Sequence, residues 1–114
     1  MKGLVRQGDR IYTEDRFQKG SVYGEKIDVI RGLECREWIP WRSKLGALLK
    51  KREDVKFPDG NMLYLGAAQG TTVSHISDLL PSNIIYAVEF SETAFRKLSA
   101  LSRKRDNIIP ILAD

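Results

Sequence analysis

The sequence predicts an α/β chain in two parts: a small antiparallel β-hairpin module over residues 1–39, then the first βαβαβ half of a parallel sheet over residues 40–114. Three observations carry this prediction. Short alternating runs punctuated by Gly8-Asp9 and Arg31-Gly32 fill the first part, as hairpins do. Apolar runs at Met62–Leu65, Ile84–Val88 and Ile108–Ala113 recur in the second, separated by segments of helical spacing, as parallel strands joined by crossovers require. Between the first run and its helix lies Gly66-Ala67-Ala68-Gln69-Gly70, small residues that let a backbone pass close to a ligand.

Leu4 to Thr13 reads as two short strands around Gly8-Asp9, and Glu14 to Gly20 as a polar loop. After Ser21-Val22-Tyr23-Gly24-Glu25, a second pair, Lys26–Ile30 and Leu33–Ile39, turns at Arg31-Gly32. Alternation of Ile27 and Val29 with polar neighbours predicts that these two face the core. The module carries no evident chemistry and reads as a surface for a protein partner or a brace for the next domain. Pro40 can take the first position of a helix reaching Arg52, with Trp41, Leu45, Leu48 and Leu49 on one stripe. At about 100° per residue, Lys44 sits about 60° from Trp41, at the rim of that stripe. There it is either an ammonium held in a fixed direction, as catalysis requires, or a snorkelling side chain with its stem on the apolar surface. Pro58-Asp59-Gly60 turns the chain into the first parallel strand.

Thr71 and Thr72 can cap a helix that carries Val73, Ile76, Leu79 and Leu80 on one face, and Pro81 ends it. The second strand closes on Glu89. Ser91 can cap a further helix from Glu92 to about Arg105, with Ala94, Phe95, Leu98 and Leu101 inward, and Asp106-Asn107 stops it. The third apolar run closes on Asp114, and its Pro110 favours a sheet position where a missing N–H is tolerated. Three parallel strands are half of a doubly wound sheet. The chain is therefore expected to be a portion of a longer protein, or to have its free edge covered by something else.

Strand, glycine turn, helix, strand and carboxylate form the layout of a Rossmann-like nucleoside site, in which the acid after the second strand accepts from ribose hydroxyls. A tight turn without a ligand is the competing reading. A dinucleotide site wants a third glycine, which Gly66 and Gly70 lack. A phosphate cradle wants a lysine, yet no Lys or Arg occurs from Asn61 to Ser91, which suits a ligand that is not a polyanion. S-adenosyl-L-methionine, with a cationic sulfonium and no phosphate, fits, and Glu89 is placed to hold its sugar. Asp114 can accept from an adenine amino group, or be a frayed terminus.

The net charge of +4 is local in origin. One basic cluster comprises Arg42, Lys44, Lys50, Lys51, Arg52 and Lys56, the other Arg96, Lys97, Arg103, Lys104 and Arg105. Each can meet RNA phosphates or form a solvated helix face. The single Cys35 excludes an internal disulfide and has no second cysteine with which to build a zinc or redox pair, so no metal is expected. No apolar run approaches a membrane span, and Met1-Lys2-Gly3-Leu4 lacks a signal-peptide stretch; a cytoplasmic location without membrane contact is the expectation.

On these residues the chain resembles archaeal fibrillarin, the methyltransferase of box C/D RNA-guided particles. The resemblance rests on Val22-Tyr23-Gly24-Glu25, on Glu34 to Leu45 ending in Trp41-Arg42-Ser43-Lys44-Leu45, and on Leu63 to Asp78 with its Gly70-Thr71-Thr72-Val73-Ser74-His75. Ala87-Val88-Glu89-Phe90-Ser91 and Asn107 to Asp114 complete it, and Gln69 departs from the serine usual at its position. The resemblance implies a class I methyltransferase sheet. It also implies transfer of a methyl group from S-adenosyl-L-methionine to a ribose 2'-hydroxyl in rRNA and tRNA, at a position chosen by guide pairing. By match, Thr71, Thr72, Glu89, Phe90 and Asp114 would bind the cofactor, Gly66 and Gly70 would shape its pocket, and Lys44 aligns with the family's first catalytic lysine. His75 reads as a structural helix residue. Implied partners are box C/D guide RNA, its target RNA, a Nop-domain scaffold protein and a kink-turn-binding protein. The family's catalytic aspartate, second lysine and histidine follow the third strand, so these residues would hold half the cofactor pocket and one catalytic group. A non-catalytic scaffold- or RNA-binding module of the same ancestry is the alternative.

Overall fold

Gly8, at φ +61°, closes the turn between β1 (Leu4–Gln7) and β2 (Arg10–Glu14) in the computed structural model, which describes residues 1–114. Arg31 and Gly32, at φ +53° and +81°, do the same between β3 (Ile27–Ile30) and β4 (Leu33–Glu37). β2 pairs antiparallel with β4, Tyr12 opposite Glu37, and the four strands form one sheet in the order β1-β2-β4-β3. The expected burial of Val29 does not hold: it is 73% exposed, Ile27 is half-buried and Ile30 is buried instead. As an edge strand, β3 turns Ile30 onto Tyr12 and Cys35, and its Asp28 carboxylate accepts from the Tyr12 hydroxyl at 3.0 Å. The acceptor needed by that half-sunk hydroxyl sets the register that alternation alone misjudges.

The expected helix from Pro40 to Arg52 is broken. Pro40–Arg42 form a 3₁₀ turn, Ser43 is extended at φ −160°, and α1 runs over Lys44–Lys51. Ser43 leaves the helix because its Oγ caps α1, accepting from the Gly46 N–H at 3.1 Å. Trp41 therefore lies off the stripe and is 83% exposed, and Lys44 opens α1 instead of flanking Trp41 within one helix. The buried tryptophan is Trp38, packed against Gly46 and stacked on the His75 ring at 4.7 Å between centroids.

The second sheet is parallel in the order β5-β6-β7: β5 (Met62–Leu65), β6 (Ile85–Glu89) and β7 (Ile108–Leu112). Met62 stands opposite Ile85, and Ile85 opposite Ile108. Pro110 sits on the edge strand β7, where its missing N–H does not interrupt a ladder on the free side. The crossovers are α2 (Thr71–Leu79) and α3 (Glu92–Ser102), the latter capped by Ser91. Val73 and Ile76 of α2 and Leu98 and Leu101 of α3 pack over Ile85, Ala87 and Ile108. No helix is long and apolar enough to cross a membrane.

The two sheets share α2. Ile11 and Trp38 of the antiparallel part pack with Leu49 and Leu79, and the polar side of α2 is buried as completely as its apolar side. Asp78 binds Arg36 at 2.8 Å and Arg105 at 2.7 Å, Arg36 binds Glu25 at 2.7 Å, and Arg105 reaches Asp15 at 3.4 Å, all with side chains sealed from solvent. Burial pushes the Glu25 carboxyl up, but the Arg36 guanidinium and the N–H groups of Tyr23 and Val22 outweigh it and hold the group below its ordinary value. The Thr13 hydroxyl donates to Asp78 at 2.8 Å, so it accepts from His75 Nδ1 at 2.8 Å; Nε2 then faces the Tyr23 hydroxyl at 2.6 Å as an acceptor, and the Glu37 carbonyl at 3.0 Å shares that one hydroxyl proton. Burial, then the charges of Arg36 and Arg105, hold His75 neutral with its pKa well below 6.5.

Candidate functional site

The carboxyl ends of a parallel sheet are where such folds bind ligands, because the crossover loops open there. Gly66 and Ala67 both donate to the Val88 carbonyl at 2.9 Å, hooking the turn over the end of β6. Gly66 has φ +76°, and the space a Cβ would take is open. Gly70 has φ +96°, and a Cβ there would meet Leu101 Cδ2 at 2.5 Å, so α3 packs against the turn only because residue 70 has no side chain.

Glu89 is buried at the mouth of this turn. Its Oε1 accepts from the Ala68 N–H at 2.8 Å and its Oε2 from the Ser91 N–H at 2.9 Å. The Ser91 N–H, then that of Ala68, hold its carboxyl below the ordinary range. Each oxygen keeps a lone-pair site for a further donor. Beside it lies a pocket of about 390 Å³ lined by Arg42, Tyr64, Gly66, Ala67, Ala68, Gln69, Thr71, Thr72 and Ala94.

The expected capping by Thr71 and Thr72 is corrected. Gly70 is the N-cap of α2 without a side-chain bond, and the two threonines are the first helical residues. The Thr72 hydroxyl donates instead to Ser43 Oγ at 2.8 Å. One hydroxyl pair thus ties the N-termini of α1 and α2 together, with Lys44 next along the chain. Lys44 is exposed, and its ammonium takes part in none of the side-chain ion pairs. The Ala113 N–H donates to the Glu89 carbonyl at 3.1 Å, which sets Asp114 beside the end of β6. Phe90 is 70% exposed at the same edge.

Gly66, Thr71 and Thr72 therefore line the pocket, Gly70 shapes it from behind, and Glu89 closes its turn through Ala68. Gly70, Glu89, Phe90, Asp114 and Lys44 are not themselves lining residues. Sequence reasoning placed Arg42 in a basic cluster able to meet RNA phosphates but not on the pocket wall, where its guanidinium lies 5.2 Å from the Tyr23 ring centroid, and it missed Ser43. The extended Ser43 carries a local signal, a serine three residues before the first capped N–H; the placement of Arg42 carries none.

A parallel βαβ unit with a small-residue turn free of basic side chains, and an acid at the end of its second strand, defines a Rossmann-like sheet of the class I methyltransferase kind. Comparison with known proteins is specific. The chain belongs to the fibrillarin family, whose family model, described as Fibrillarin, matches residues 3–114. It is 50% identical to the fibrillarin-like rRNA/tRNA 2'-O-methyltransferase of Archaeoglobus fulgidus, over 100% of the chain and 54% of that protein. The crystal structure of Aeropyrum pernix fibrillarin with natively bound S-adenosyl-L-methionine superposes with a TM-score of 0.84 at 42% identity, covering 97% of this chain and 51% of that one. A fibrillarin in complex with Nop5p gives a TM-score of 0.85 at 49% identity, covering 100% of this chain and 52% of that one. The chain spans about half the length of these relatives.

Proposed function

We propose that the protein to which these residues belong transfers a methyl group from S-adenosyl-L-methionine to a ribose 2'-hydroxyl of rRNA or tRNA, at a site chosen by a box C/D guide RNA. The observation that carries the reading is Glu89, fixed by two backbone N–H groups at the mouth of a small-residue turn and left with acceptor capacity for ribose hydroxyls. The other residues fit the same cofactor. Gly66 leaves room for close approach, the exposed Phe90 ring offers a flat apolar face, Asp114 offers an acceptor, and Thr71 and Thr72 lie on the pocket wall. When bound, the cofactor supplies an electrophilic methyl group on a sulfonium.

Lys44 is the residue of this chain assigned to catalysis. A ribose hydroxyl is a poor nucleophile, and an ammonium beside it favours alkoxide character as the proton leaves. The Thr72–Ser43 hydroxyl pair anchors the backbone that presents Lys44. A Nop-domain scaffold, a kink-turn-binding protein, guide RNA and a cytoplasmic location complete the proposal; the related fibrillarin solved with Nop5p supports the first of these.

The test is transfer of labelled methyl to a guided RNA by the full-length protein assembled with its partners. Lys44→Ala is expected to lower the rate roughly a hundredfold while cofactor affinity, read by calorimetry, stays within about twofold. Equal loss of both assigns Lys44 a structural role. Cofactor binding without transfer by the parent protein leaves the non-catalytic, partner-binding account.

A further inference from the structure

The two basic clusters, separate in the sequence, meet in the fold. Arg42 from the first, and Lys97 and Lys104 from the second, converge with Lys19 on a cavity of about 380 Å³ that no acidic side chain lines. All four side chains are exposed, and none has an ion-pair partner. The nearby carboxylates are already engaged: Asp15 and Asp78 are bound to Arg105, which lies buried at the base of the cavity with its Nε lacking any hydrogen-bond partner. Four unpaired cations around one hollow repel one another, and a chain gains nothing in stability from holding them there. An anion removes that repulsion.

The cavity shares a wall with the cofactor pocket: Arg42, Gln69 and Thr71 line both. Arg42 is steadied at this boundary by its position over the Tyr23 ring. A ribose 2'-hydroxyl sits next to its own 3'-phosphate, so an RNA strand that brings the hydroxyl to the methyl donor lays a phosphate immediately beside it. An acidic peptide would satisfy the charges too, but nothing requires it to sit against the cofactor wall. We infer that this cavity is a phosphate site that seats the backbone of the RNA strand being modified, with Arg42 at its boundary with the cofactor pocket. The identity of the anion as substrate RNA rests on the methyltransferase reading; the anion site itself rests on the four cations.

The experiment uses the full-length protein and a fluorescein-labelled single-stranded RNA of about 12 nucleotides, titrated by anisotropy over a range of KCl. Lys97→Glu with Lys104→Glu is compared with Lys50→Glu plus Lys51→Glu, an equal charge change at the end of α1. The cavity pair is expected to weaken RNA binding about tenfold or more and to lower the salt slope by about 1 to 1.5. The α1 pair should weaken it less than about threefold, and affinity for S-adenosyl-L-methionine should not move in either. Lys97→Gln with Lys104→Gln, which removes the two charges without reversing them, should fall between. Equal losses from both glutamate pairs would reduce the effect to bulk charge and overturn the site. Unchanged RNA binding would also overturn it, including the case where binding of the scaffold protein is lost instead, which would mark an acidic protein's docking face. Loss of cofactor affinity would assign the cations to the cofactor's carboxylate and overturn it likewise. RNA held through this cavity without methyl transfer would sink the activity and leave the phosphate site standing, and transfer unaffected by the cavity pair would do the reverse.

Discussion

Asp78→Ala removes the carboxylate at the centre of the buried charge cluster. Its two oxygens accept from the Thr13 hydroxyl at 2.8 Å, Arg36 Nη1 at 2.8 Å, Arg105 Nη1 at 2.7 Å and the Arg16 N–H at 3.2 Å. After the change Arg36 keeps Glu25 as its charge partner, while Arg105 keeps one carboxylate, Asp15 at 3.4 Å, beside neutral acceptors on Ser74 and Ser77, with both guanidiniums still sealed from water. Removing one partner of such a set costs about 3–5 kcal/mol, because the stranded charges cannot be hydrated where they are. In a protein about twice this length, at roughly 2–4 °C per kcal/mol, Tm should fall by about 6–20 °C. Thermal unfolding of the full-length protein at neutral pH, followed by circular dichroism, reads the shift. Asp78→Asn keeps the shape without the charge and should lose most of the same stability. Asp78 lies about two turns from the Gly70 end of α2, so below the transition cofactor affinity should stay within about twofold. A fall in Tm of less than about 3 °C for the alanine variant would refute the reasoning, by showing that the cluster merely offsets its own dehydration.

His75 gives a pH dependence whose sign comes from its depressed pKa. The unfolded chain takes up a proton on this residue as pH falls through about 6.5 and the folded one does not, so stability holds above that value and declines below it by up to about 1.4 kcal/mol per pH unit. Denaturant titrations at about pH 7.5 and 5.5 should show the loss in the parent and a smaller one in His75→Gln; a parent that gains stability on acidification contradicts the assignment. Gly46→Ala should destabilise by about 1–3 kcal/mol despite alanine's better helix propensity, because its Cβ would come within 2.6 Å of Trp38 Nε1. Near-ultraviolet circular dichroism should report the displaced Trp38, and a neutral or stabilising outcome would show that the indole yields freely.

The strands were legible because their signals are local. Gly8 and Arg31-Gly32 sit at the turns, three apolar runs become three parallel strands, and the awkward Pro110 falls on an edge. The Gly66–Gly70 turn and Glu89 were legible for the same reason, since strand, turn and acid succeed one another along a single unit. What escaped depends on distant partners. Ser74, His75, Ser77 and Asp78 lie off the apolar face that periodicity marks on this helix, yet they are buried because Thr13, Arg36 and Arg105, up to 65 residues away, supply their hydrogen bonds. Either tryptophan suits an apolar stripe; Trp38 is the one inside because Gly46 leaves flat space for it and Ser43 diverts the chain at Trp41. Arg42 joins Lys97 and Lys104 only once α3 has packed.

The salt-linked helix α2 also bears on how the molecule comes apart. A protein trimmed at Pro40 would strip Arg36, Thr13 and Asp15 from the helix that carries the cofactor turn, leaving Asp78 and Arg105 facing bulk water beside a bared apolar seam of Leu49 and Leu79. The boundary between the two sheets is thus topological only: excision of either side is expected to unfold the other, and thermal unfolding is expected to show both melting in one step.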